Sequence, residues 1–373
     1  MTKTIHDLIP QFIRSIEPYK PGKPVEEVER ELKIRAVKLA SNENPLGPSP
    51  LAVEAAQRAL REANRYPDGG GFYLREKLAA RHRVSMEQII LGLGSSELID
   101  LAARALLNGE TEAVTSEGSF PLYYISARAT GAKLIEVPLA EYTFDLDAIA
   151  DAITPRTRLV YLANPNNPTG TMFTADEFDR FFARVPEHVL VVLDEAYCDY
   201  VECADYSRAI DIARRAPNLL VLRTFSKIYG LAGMRMGYGI GPADLVVELN
   251  KLRTPFNTSS VAQAAALAAL DDTEHVRRSL EANGAGLKQL ADGLTAMGVP
   301  FVPSVTNFLF VEWGEDAKPL SDALLRRGVI VRPMAWMGFP NAIRVSVGTA
   351  EENRLFLSAL ATVRSRSTTE AAS

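Results

Sequence analysis

Between about residues 50 and 255 the chain alternates short apolar runs with amphipathic stretches. The runs read as strands at 88–92 (QIILG), 113–116 (AVTS), 133–138 (KLIEVP), 158–164 (RLVYLAN), 189–196 (VLVVLDEA), 218–224 (NLLVLRT) and 236–241 (MGYGIG). Apolar positions at helical spacing fill the gaps, as in SELIDLAARALL at 96–107 and ADEFDRFFARV at 175–185. Strands that are apolar throughout and separated by helices predict an α/β fold on a mostly parallel seven-stranded sheet, covered on both faces. The seventh run follows the sixth too closely for a helical crossover, so it is antiparallel or joined by an irregular loop. After Pro255 the pattern changes. An alanine-rich segment at 259–294 predicts one or two helices leading into a smaller α+β unit, whose strands are 305–313, 328–333 and 341–348.

A chain of 373 residues is long for one core and suits a large domain with a smaller companion. The expected division is an N-terminal arm at 1–40, with too little apolar surface for its own core, a large domain at 41–256 and a small domain at 257–373. Hydrophobic residues at 47% and charged residues at 23% are ordinary for a folded protein and exclude a disordered chain. A net charge of −5 gives no general electrostatic reason to bind nucleic acid or an anionic membrane, so the arginines need local explanations. No run of 18 apolar residues is present, and the start, interrupted by Asp7 and Pro10, lacks a signal-peptide pattern; a cytoplasmic chain is expected. Cys198 and Cys203 are too few for a disulfide framework and, without clustered histidines, a poor metal site.

Three polar residues fall at the ends of three predicted strands: Asn167, Asp194 and Lys227. In a parallel sheet those ends share one rim, where ligands bind. An amine held there can lose its proton and attack a carbonyl to form a Schiff base. Asp194 reads either as a helix cap or as a buried anion that keeps a heteroaromatic ring nitrogen protonated. Gly92-Leu93-Gly94-Ser95-Ser96 closes the first strand and opens a helix. It is incomplete as a dinucleotide fingerprint but suits an anion cradle, with free backbone amides, a helix dipole and two hydroxyls. Ser226 and Arg235 flank Lys227 at distances a short loop can fold onto the same anion.

The stretch from Ser226-Lys227 through Gly230-Leu231-Ala232-Gly233 to Arg235-Met236-Gly237-Tyr238 resembles the lysine signature of the fold-type I aminotransferases, which use pyridoxal 5′-phosphate. The resemblance extends from SNENPLGP at 41–48 to RVSVGT at 344–349. It implies that Lys227 carries the cofactor and shuttles protons, that Asp194 pairs with the ring nitrogen, and that Asn167 and Tyr197 bond the ring hydroxyl. Ser95, Ser96, Ser226 and Arg235 would hold the phosphate. Phe120, where many relatives have tyrosine, would stack on the ring, with core packing as its alternative. Tyr66, by itself a turn tyrosine, would reach the neighbouring subunit's cofactor phosphate across a homodimer interface. Within the family the chain is similar to the histidinol-phosphate branch, in which residues matching Tyr19, Asn42, Arg332 and Arg344 line the substrate site. The expected reaction takes L-histidinol phosphate and 2-oxoglutarate to imidazole-acetol phosphate and glutamate. The alternatives are an aromatic amino-acid aminotransferase on the same fold and, from another class, a cofactor-binding sensor without turnover.

Overall fold

Seven strands build one sheet: β1 (Ile89–Gly92), β2 (Glu112–Ser116), β3 (Lys133–Val137), β4 (Thr157–Ala163), β5 (Leu190–Asp194), β6 (Leu219–Thr224) and β7 (Gly237–Ile240). Their order across the sheet is β1-β7-β6-β5-β4-β2-β3. β7 runs antiparallel to both its neighbours and every other pairing is parallel. The central strands β4, β5 and β6 are almost wholly buried because helices cover both faces, which is why their sequences are apolar at successive positions. Each fully buried valine or leucine there contributes about 1.5–3 kcal/mol. β7 returns antiparallel because the chain between β6 and β7 holds only a loop and a short 3-10 turn, with no crossover helix.

The computed structural model describes residues 4–18 and 22–370, so Tyr19 lies outside the described residues. A second sheet, antiparallel, has the order β10-β11-β9-β8, where β8 is Phe301–Val302, β9 Phe308–Glu312, β10 Arg332–Pro333 and β11 Ala342–Ser346. The single predicted strand at 328–333 divides. Val329–Ile330 pairs in parallel with Val37–Lys38, and only after Val331 does the chain join β11. The N-terminal segment is thereby knitted into the small sheet's side of the molecule, with Val28 packed on Ala36, Ala40 and Ile330.

The alanine-rich segment forms two helices. Ser260–Ala269 starts with the Ser259 hydroxyl accepting from the Ala262 amide, and Thr273–Ala296 starts with the Asp272 carboxylate accepting from the His275 amide. The first buries Ala262, Ala265, Ala266 and Ala269 in the large core. The second sends Leu290 and Leu294 into a separate core with Phe356 and Val345.

Candidate active site

Asp194 is the last residue of β5, Lys227 lies just past β6, Asn167 just past β4 and Phe120 just past β2. Ser95 and Ser96 open the helix Gly94–Leu106 that follows β1. All six line one cleft on the sheet's carboxyl rim, together with Asn42, Tyr197, Ser226, Arg235, Arg332 and Arg344. Parallel strands point their ends the same way, so the convergence expected from sequence follows from topology.

The cleft has an acidic floor. Asp194 is 5% exposed, accepts from the Tyr123 hydroxyl at 3.0 Å and from the Ala196 amide at 3.2 Å. Burial pushes its carboxyl up to about 6, against the opposing effects of those two donors and of the nearby Lys227 amine. An acid raised by desolvation is a site waiting for a cation to share its pocket. Lys227 Nζ stands 5.3 Å from the centre of the Tyr197 ring. The Tyr197 hydroxyl accepts from Asn42 Nδ2 at 2.8 Å, and its ring meets Phe308 edge-on. Behind the rim Arg223 donates from Nε and Nη2 to Glu195 Oε2 at 3.0 and 2.7 Å, tying the end of β6 to the end of β5.

The opposite end of the cleft suits an anion. Ser95 and Ser96 lie in the first turn of a 13-residue helix, where amides lack intrahelical partners. Gly94 has φ +72°, and a Cβ there would lie 2.8 Å from Arg235 Nη2, so the arginine crosses directly over the turn. A Cβ on Gly237 would come within 2.5 Å of Gly94 C and Ser95 N. β7 can therefore press against the cradle only because Gly237 has no side chain. Arg235 itself is held at φ +52°, an uncommon conformation for a side-chain-bearing residue, with Nη1 donating to Ala232 O at 2.9 Å. Ser226 Oγ accepts from Thr224 Oγ1 at 2.9 Å.

The small sheet supplies the third wall. Arg332 and Arg344 sit directly opposite each other on β10 and β11, so both side chains leave the same face. Each is 7% exposed. Arg332 lies 4.7 Å over the Trp336 ring, and Arg344 donates to Ala40 O at 2.8 Å and to Asn167 Oδ1. Two buried guanidiniums on one face of a ladder give this wall of the cleft the chemistry to take an anionic group.

Tyr123 was not singled out from sequence. Its hydroxyl on Asp194 and its ring stacked 5.0 Å from Tyr161 make it part of the acidic floor. It lies three residues after Phe120 in the first turn of the helix Pro121–Ala129, its ring edge-on to that of Phe120 at 5.7 Å. Tyr66 is not in the cleft of its own chain: it is 83% exposed and stacks at 4.8 Å on Phe256. Among the described residues no group of histidine, cysteine and carboxylate side chains is arranged to hold a metal, and no helix is long and apolar enough to cross a membrane.

The profile of the family "Aminotransferase class I and II" matches residues 34–360. The chain belongs to that family. This aminotransferase is 50% identical over 352 residues to histidinol-phosphate aminotransferase 1 of Nitrosococcus oceani, covering 94% of the chain and 95% of the relative. It is also 50% identical over 354 residues to histidinol-phosphate aminotransferase 2 of Pseudomonas aeruginosa, covering 94% and 96%. Its fold superposes with a TM-score of 0.85 on the histidinol-phosphate aminotransferase of Sinorhizobium meliloti, solved in complex with pyridoxal-5′-phosphate. That match has 29% identity and covers 94% of this chain and 96% of the other. Fold-type I architecture, expected from the lysine signature, is thus the architecture of this aminotransferase.

Proposed function

We propose that this aminotransferase uses pyridoxal 5′-phosphate to move the amino group of L-histidinol phosphate to 2-oxoglutarate, giving imidazole-acetol phosphate and glutamate. The observation that carries the reading is the meeting in one cleft of a lysine, a buried carboxylate and an anion cradle. The donor set fits the cofactor. Asp194, raised to about 6 by burial, is matched to a protonated ring nitrogen, and the Gly94–Ser96 turn with Ser226 and Arg235 is matched to a phosphate. When bound, the cofactor supplies an aldehyde and an electron-accepting ring.

The chain's own residues then have distinct tasks. Lys227 would be the nucleophile toward the cofactor's aldehyde and afterwards the base, its Nζ taking the proton from the amine-bearing carbon of the substrate and passing it on to the cofactor instead of back to that carbon. Asp194, with Tyr123 behind it, holds the positive ring nitrogen. Asn167 and Tyr197 orient the ring hydroxyl, and Phe120 covers the ring face. Arg332 and Arg344, with Asn42 and with Tyr19 of the arm, take the substrate's phosphate or the acceptor's carboxylate. The named relatives and the arginine pair both favour a doubly charged phosphate over a plain aromatic amino acid.

The same proposal assigns residues 41–256 to holding the cofactor, 257–373 to gripping the substrate and 1–40 to an N-terminal arm, with helix Ser260–Ala269 resting on the large core. It places the protein in the cytoplasm as a homodimer in which Tyr66 reaches the partner's cofactor phosphate. The exposed side chains of Tyr66, Tyr73, Phe72 and Phe256 support such an interface. Side-by-side kcat/KM for histidinol phosphate and phenylalanine tests the substrate: a ratio of a hundredfold or more is expected for a site built around a dianion. Equal values, or preference for phenylalanine, would replace this reading with the aromatic one.

A further inference from the structure

The loop at 42–49 does more than line the substrate side of the cleft. Asn44 is 9% exposed, and its amide nitrogen donates twice, to Ile228 O at 2.8 Å and to Ser279 Oγ at 2.8 Å. Ile228 follows Lys227 in the chain, and Ser279 belongs to the long helix Thr273–Ala296 that runs toward the small sheet. The Asn44 oxygen accepts from the Leu46 amide at 3.0 Å, closing an Asx turn. Further along, the Ser49 amide donates to Tyr229 O at 3.3 Å. Gly230 has φ +67°, and a Cβ there would stand 2.1 Å from Gly47 O. Loop and lysine segment are therefore stitched together from 228 to 230. The other end of the loop is tied to the small sheet and to Tyr197, through Asn42 on Ser346 Oγ and on the Tyr197 hydroxyl.

We propose that Asn44 is a positioning residue for Lys227: by holding the carbonyl of Ile228 it fixes where the lysine amine stands over Asp194, and it links that position to the small sheet through the loop. The inference rests on Lys227 being the residue that captures the cofactor. It does not depend on which amine is the substrate. The physical ground is that a buried carbonyl left without its donor costs free energy and rotates to find another, and here the rotation acts on the peptide beside the reactive amine.

The test compares three variants with the parent protein. Asn44→Ala removes the donor and the turn. Asn44→Asp keeps an oxygen for the Leu46 amide and removes the amide donor. Ser279→Ala removes the anchor on the long helix, together with the hydroxyl's 3.5 Å contact with His275 Nε2, and leaves the Asn44 donor to Ile228 O in place. Cofactor-free protein is mixed with pyridoxal phosphate, the rate of capture is followed by visible absorbance, and the pH midpoint of the bound band is then titrated. Both Asn44 variants are expected to slow capture about tenfold or more, the scale of losing one buried hydrogen bond, and to displace the pH midpoint. Ser279→Ala is expected to lower the melting temperature and leave capture rate and midpoint at parental values. The proposal is overturned if Asn44→Asp captures cofactor at the parental rate and midpoint, or if Ser279→Ala disturbs both as much as Asn44→Ala, which would make the loop a general brace. Failure to turn over histidinol phosphate while capture stays normal would count against the proposed substrate and leave the capture comparison intact.

Discussion

Asp194 shows how a single residue's surroundings become a measurable property. Its folded-state value of about 6 lies above the ordinary 3.8, so the native protein holds that proton more tightly than the unfolded chain does. Its contribution is therefore most favourable below about pH 4 and is lost as pH rises through 6, by about 3 kcal/mol in total. Urea unfolding of cofactor-free protein between pH 4 and 7 should show this falling slope, and Asp194→Asn should flatten it; an unchanged slope in the variant would refute the assignment. Saturation with cofactor should flatten it too, because a cationic partner restores the carboxylate. Tyr123→Phe removes a donor that lowers the Asp194 pKa, so the slope should move to higher pH. Cofactor affinity in that variant, measured by absorbance titration, should fall roughly tenfold, the scale of one hydrogen bond to a charged group. The positions of Asp194 and Lys227 on the rim were legible in sequence because one ends a buried strand and the other follows one. Tyr123 was not, since nothing in the string PLYY says which ring turns toward a carboxylate contributed by a strand 71 positions away.

At the scale of elements, the anion cradle depends on how closely β7 approaches the turn after β1. Gly237→Ala places a methyl 2.5 Å from backbone atoms of Gly94 and Ser95, which cannot yield as a flexible side chain does. The expected cost is about 1–3 kcal/mol of stability together with weakened cofactor binding. Gly233→Ala is the control, because a Cβ there has nothing within 4 Å and φ is not left-handed, so melting temperature and affinity should stay near parental values. Thermal melts and cofactor titrations of the two variants decide between a specific close approach and a general need for glycine. The sequence pattern placed all seven strands of the large sheet to within a few residues, because fully buried strands read as uninterrupted apolar runs. It did not divide 328–333 into two pieces, since a run of valine and isoleucine carries no mark of which neighbour each residue pairs with. Nor did it show Val37–Lys38 as a strand: two residues pairing with a segment nearly 300 positions away leave no local pattern.

At the scale of the whole molecule, Tyr66 faces solvent on its own chain, away from that chain's cleft. If each active site of a twofold dimer combines Lys227 of one subunit with Tyr66 of the other, Lys227→Ala and Tyr66→Ala chains carry complementary defects. Unfolding and refolding an equal mixture should then restore about a quarter of parental activity, because half the dimers are mixed and each mixed dimer has one intact site. Activity no higher than the average of the two separate variants would mean that Tyr66 serves its own chain or no site at all. The sequence by itself determined the sheet, the rim and the chemical kinds of residue on it, because burial and strand direction are written in local periodicity. Only the tertiary structure decided that Arg332 faces Arg344 across a ladder, that Asn44 reaches the peptide beside Lys227, and that Tyr123 lies behind Asp194. The first is a matter of strand register, and the other two are contacts between segments far apart in the chain; all are fixed by packing and by the matching of buried donors to acceptors, and no local pattern encodes them.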